Sequence, residues 1–190
     1  KIHHFHLRKK KNNFTEWYSD GKINAYYNCV TKNIESGLGN KVAIHTINKE
    51  RKFSKYTYNE LNNKVNYFCE ILKSKLKKQK LSDCKILIYS AASIESAVAM
   101  LSCAKLGIHF AVLFEDLASE AVKKRIDLLK PNIFISRVNR IPFYKKISIS
   151  RNKTKKIKFI FFEDIKFSNK YNNNYNKNIY FKGNKDFFTL

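Results

Sequence analysis

A chain of 190 residues with 44% apolar residues and 15 phenylalanines has enough material for one ordinary α/β-sized core, and its 28% charged fraction places it among folded rather than disordered chains. No apolar run approaches the ~18 residues that a spanning helix needs, which excludes a membrane helix. The formal charge of +23 invites a nucleic-acid reading. However, the lysines come with Asn, Ile, Tyr and Phe while Gly and Pro are scarce, so the charge reads as compositional bias spread over a solvated surface.

Residues 1–13 read as a basic leader. His3, His4 and His6 lie there without a carboxylate or cysteine nearby, so they read as a surface tail rather than a metal site. The chain starts at Lys1, not Met, so its true N-terminus is not visible. Residues 14–40 form a helical segment: Ile23, Tyr26, Tyr27, Val30 and Ile34 share one helical face, and Gly37 and Gly39 stop it. Residues 41–47 and 52–58 alternate at period two, and 48–51 read as the loop of a β-hairpin. Thr57 and Glu60 fit a capping box that opens a helix with the apolar stripe Leu61, Val65, Phe68, Leu72 and Leu76.

From residue 84 onward, strands and helices alternate. The expected order is strand 84–90, helix 93–107, strand 108–114, helix 118–130, strand 131–136 and strand 157–163. Such alternation requires crossover connections and a largely parallel sheet with helices on both faces. Helix 93–107 is apolar on most of its circumference, so it must be covered on two sides. The α/β part is placed at 41–167. Residues 168–190 contain the Asn/Lys-rich run "NKYNNNYNKN" and read as a loop.

Cys29, Cys69, Cys84 and Cys103 are widely spaced, which excludes zinc-ribbon and thioredoxin-like patterns. They read as reduced, mostly buried thiols of a cytoplasmic protein. No phosphate-binding glycine loop, metalloprotease helix or nucleophile elbow is present. Glu115 and Asp116 stand at a strand-to-helix junction and read first as helix caps; Ser90 and Ser93 read likewise.

The run "EWYSDGKINAYYNCVTKNIESGLGNKVAI", followed by "YTYNELNNKVNYFCEIL", "ESAVAMLSCAKLGIHFAVLF", "SEAVKKRI" and "KPNIFIS", closely resembles the N-terminal part of AMP-forming acetyl-CoA synthetases, from about residue 16 to 163. The resemblance implies an ATP- and magnesium-dependent acetate–CoA ligase of the adenylate-forming superfamily, cytoplasmic with the nucleus as a second compartment. Its substrates would be small molecules: acetate or a similarly short acid, ATP and CoA. It places Phe114, Arg137 and Arg140 at the coenzyme A nucleotide, because guanidiniums grip phosphates bidentately. It places no catalytic residue in this chain, and the ATP and magnesium site outside it; it implies that 168–190 lead into a further, truncated part and that the whole is an incomplete part of a larger α/β domain, so this piece alone would not adenylate an acid. Glu115 and Asp116 stand where the family has two glycines, and carboxylates there would repel phosphates. Two other readings follow from the same residues: a non-catalytic interaction module descended from the family, and a basic nucleic-acid-binding domain.

Overall fold

The structure, a computed structural model, describes residues 8–9, 15–16, 22–48, 50–77, 79–137, 157–165 and 182–183. The leader histidines, Arg140 and the run 141–146, and the Asn/Lys-rich run lie outside the described residues. Arg8–Lys9 (β1) pairs antiparallel with Thr15–Glu16 (β2), and Lys22–Ile23 (β3) pairs antiparallel with Lys182–Gly183 (β10).

Within the N-terminal segment the chain is helical from residue 25 to 38, later than the expected 14–40, and two of its stretches, Tyr27–Thr31 and Ile34–Leu38, are wound as the wider π-helix. That winding changes which residues face inward. Tyr26, Val30 and Thr31 are buried and Ile34 packs against them, whereas Cys29 is exposed and Tyr27 turns its hydroxyl to Glu35 at 3.1 Å. Ile23 lies on β3, half exposed, and is not part of the helical face. Gly37 adopts a left-handed φ of 81°, the glycine stop read from the sequence.

Val42–Ile47 (β4) and Phe53–Thr57 (β5) make the hairpin. Its turn is closed by Asn48, whose side chain accepts from Lys52 N at 2.8 Å. Helix Tyr58–Lys75 (α1) starts at the expected capping box: Glu60 N–H donates to Thr57 Oγ1 at 3.2 Å, and Thr57 N–H donates to Glu60 Oε2 at 2.8 Å.

The remaining elements are Lys85–Tyr89 (β6), Ile94–Leu106 (α2), His109–Leu113 (β7), Ser119–Leu129 (α3), Ile133–Ser136 (β8) and Lys158–Phe161 (β9). The four strands form one all-parallel sheet in the order β7-β6-β8-β9. Successive residues of β6 and β8 alternate between the faces. Ile86, Ile88, Ile133 and Ile135 point to one, and Leu87, Tyr89 and Phe134 to the other. The first face carries α2 and, outside it, α1; the second carries α3.

Helix α2 is therefore sandwiched, as its apolar circumference required. Ser102 Oγ donates to Val65 O of α1 at 3.2 Å as well as to Val98 O at 2.8 Å, so its hydroxyl stays satisfied at complete burial. One charge enters this layer. Lys105 is 6% exposed, and its ammonium reaches Tyr26 Oη at 3.3 Å, Asn66 Oδ1, and the Tyr26 ring at 4.5 Å. Burial pushes its pKa down. Asn24 adds a bond from its amide to Ala104 O at 2.8 Å, so the N-terminal segment is fastened to the last turn of α2 by polar contacts. Tyr26 is thus a structural residue of this layer.

Three of the four cysteines are buried and all are free, in accord with the thiol reading. Burial raises the Cys69 thiol to about 11 and also pushes up those of Cys103 and Cys84.

Candidate functional site at the carboxyl ends of the sheet

The chain leaves β6, crosses through α2 to β7 on one side, and then returns through α3 to β8 on the other side of β6. The direction of winding reverses between β6 and β8. In open parallel sheets, the crevice outside the carboxyl ends at such a reversal is where ligands bind, because the two crossovers part there and leave a gap. Here the gap lies beside Ser90, just after β6, and Arg137, just after β8.

A cavity of about 780 Å³ opens at this place. One wall is the β4–β5 hairpin, with His45, Lys52 and Tyr56. The other is made of the β6–α2 loop from Ala91 to Glu95, together with Glu115 and Arg137. The position of each follows from local structure. Ser90 is buried; its N–H donates to Leu113 O at 3.1 Å and its hydroxyl to Ala91 O at 3.0 Å, which holds the loop as it leaves the sheet. Ser93 is the N-cap of α2: Ser96 N–H donates to its Oγ at 3.2 Å, and Ser93 N–H donates to Ser96 Oγ at 3.0 Å. Glu95 then falls in the first helical turn, where the helix dipole favours a carboxylate. Arg137 Nη2 lies 3.8 Å from Glu95 Oε2, with both side chains about one-third exposed.

Glu115 enters from the β7–α3 turn. The Tyr89 hydroxyl donates to Glu115 O at 2.6 Å and to Leu117 O at 3.3 Å, so the main chain of this turn is tied to the last residue of β6. The capping role expected for Glu115 and Asp116 is not what the structure shows. The N-cap of α3 is Ala118, with no side-chain hydrogen bond, because the helix starts at Ser119 and leaves both acids in the preceding turn. Ser93 is a cap as expected, whereas Ser90 is a buried loop anchor.

Of the three residues assigned to a coenzyme A nucleotide, Phe114 follows the carboxyl end of β7 and Arg137 that of β8, the strands on either side of β6. Phe114 is 73% exposed and lies just outside the cavity lining. Arg140 is outside the described residues. Sequence reasoning missed Glu95 and the hairpin wall. The acid after Ser93 was readable as a first-turn residue, but only the strand order reveals Arg137 as its partner. Among the described residues, no group of three or more His, Cys, Asp or Glu side chains could hold a metal ion, and no helix is long and apolar enough to cross a membrane.

Residues 34–179 match the family of AMP-binding enzymes. The chain belongs to that family. Among its relatives, the acetyl-coenzyme A synthetase of Ralstonia pickettii is 37% identical over 114 residues, covering 60% of this chain and 17% of the relative. That of Leptospira biflexa is 34% identical over 139 residues, covering 72% and 21%. An acyl-CoA synthetase from Brucella canis superposes with a TM-score of 0.61 at 14% identity, over 75% of this chain and 24% of that one, which supports the shared fold. The chain spans about a fifth of the length of the curated relatives it matches.

Proposed function

We propose that the protein acts as an acetate or short-chain acid–CoA ligase. It would activate the acid with ATP and magnesium to an acyl-adenylate and then transfer the acyl group to coenzyme A. In this reading residues 14–167 supply scaffold and part of the coenzyme A phosphate site, through Arg137, Arg140 and the ring of Phe114, while the ATP–magnesium site lies outside this chain. Residues 14–40 are then a packed N-terminal segment, 41–167 an α/β subdomain, and 168–190 the start of the next part. The compartment is proposed to be the cytoplasm.

One observation carries the reading: an arginine stands in a cavity at the winding reversal of a parallel sheet, in a chain about one-third identical to acetyl-coenzyme A synthetases. A planar guanidinium offers a fork of donors that matches a phosphate edge, and the cavity is large enough for part of a nucleotide. Calorimetric titration of the protein with coenzyme A tests it. Arg137→Ala and Arg140→Ala are each expected to weaken binding by about tenfold or more, the loss of one charge-assisted phosphate contact. Equal affinity in wild type and both variants would remove the arginines from the site.

A further inference from the structure

Resting on that reading, we propose that Tyr89 is a positioning residue for coenzyme A. From inside the sheet its hydroxyl holds the turn after β7 in one geometry, and so keeps the Phe114 ring in place for the nucleotide before the ligand arrives. The first ground is how the turn is held. Phe114 to Leu117 close a four-residue turn, in which Leu117 N–H donates to Phe114 O at 3.3 Å. Tyr89 Oη shares its proton between Glu115 O at 2.6 Å and Leu117 O at 3.3 Å, and Ser90 N–H donates to Leu113 O at 3.1 Å. The carbonyls of Leu113, Glu115 and Leu117 are therefore tied to two successive residues where β6 ends.

The second ground is what does not hold the turn. The Phe114 ring is 73% exposed and makes no ring contact among the described residues, so its own packing restrains it little. Helix α3 starts at Ser119 with no side-chain bond at its Ala118 cap, which leaves the turn without a side-chain anchor from the helix. Among the described residues, Tyr89 supplies the only side-chain hydrogen bonds to residues 114–118.

The third ground is the residue type. Tyr89 is 1% exposed, its ring 6.0 Å from that of Phe134, in the cluster that Val122 and Ile126 of α3 complete. A phenylalanine would fill the same apolar place; the hydroxyl adds a donor, and a buried donor needs a partner. Here that donor is directed at the turn. The ring has only two side-chain torsions and is fixed by packing, so the rigidity of the sheet passes to the turn. Binding then does not have to order a loose aromatic side chain, and affinity rises by the cost avoided.

The test titrates the protein with coenzyme A in wild type, Tyr89→Phe, Phe114→Ala and the double variant, with Val122→Ala as a control that loosens the α3 core without touching the turn. Tyr89→Phe is expected to bind about three- to tenfold more weakly, because the turn is no longer preorganised. Phe114→Ala should also bind more weakly, and the double variant no more weakly than Phe114→Ala alone, since Tyr89 acts through that ring. Amide exchange at residues 115–117 should quicken in Tyr89→Phe and stay unchanged in the strands. Val122→Ala should remain within about twofold of wild type. Full affinity or unchanged exchange in Tyr89→Phe, losses that add in the double variant, or an equal loss in Val122→Ala overturns the positioning role while leaving the ligase reading intact. Full affinity in Phe114→Ala removes the ring from the site and the positioning role with it. Wild type that fails to bind coenzyme A overturns the site reading and this proposal together.

Discussion

The two faces of the parallel sheet are built to different depths. On one, α2 is buried between the sheet and α1, and the N-terminal segment closes over both, so that Val65, Phe68, Leu72, Val98 and Cys103 are all inaccessible. On the other, α3 alone among the described helices covers Leu87, Tyr89 and Phe134, and Leu128 on its outer side is 80% exposed. The start signals differ in the same direction, since α1 and α2 both open with reciprocal capping boxes and α3 opens at Ala118 with none. Among the described residues, one side of the sheet is a stack of interlocked layers, and the other rests on a single helix held mainly by Val122, Ile126 and Leu129.

The largest effect should come from breaking the deeper face. Phe68→Ala is expected to cost about 4 kcal/mol, because layers on both sides prevent the gap from closing. Ile126→Ala on α3 should cost only about 2 kcal/mol, since a helix with solvent behind it can settle inward. Urea unfolding of both variants measures the ratio, and equal losses would dissolve the contrast.

A pH titration of stability probes the same buried layer. Cys69 keeps its proton in the folded state up to about 11 against 9.0 for an ordinary thiol. Its contribution is complete below pH 9.0 and is lost as the pH rises from there towards about 11, because the unfolded chain ionises first. Lys105, pushed the other way, adds stability as pH climbs towards 10.5. Comparing wild type with Cys69→Ala therefore isolates the thiol: the variant should lack an alkaline loss of about 2 kcal/mol.

The smallest effects concern the caps. Thr57→Ala should destabilise by about 1 kcal/mol, and Ala118→Asp should stabilise by about 0.5 to 1 kcal/mol by giving α3 the acceptor it lacks. Thermal melts of the two single variants should move in opposite directions.

Much of this architecture is legible in the residues because the signals are local or periodic. Thr57 and Glu60 announce α1, Gly107 ends α2 in a left-handed conformation at φ 67°, and the all-round apolarity of 93–107 demands its sandwich. What cannot be read depends on winding and order. Spacings of three and four residues do not separate α from π turns, which is why Tyr27 faces differently from the stripe drawn through it. Helix α3 starts at Ser119 with Ala118 as its N-cap, so Glu115 and Asp116, which look like caps, stay in the preceding turn, and of the two Glu115 lines the cavity. Glu95 and Arg137 are 42 positions apart, and nothing local to either names the other; only placing β8 beside β6 does.

Tyr89 joins the thinner face to the ligand edge. Its ring packs in the α3 core, 6.0 Å from that of Phe134, while its hydroxyl grips the turn that presents Glu115. The rim of the cavity can therefore be reshaped by a substitution that never touches it: Tyr89→Phe keeps the ring in its packing and releases the turn. The placement of Glu115 is thus inherited through the hydrophobic interior, in a position where a comparison of cavity-lining residues alone would find no change.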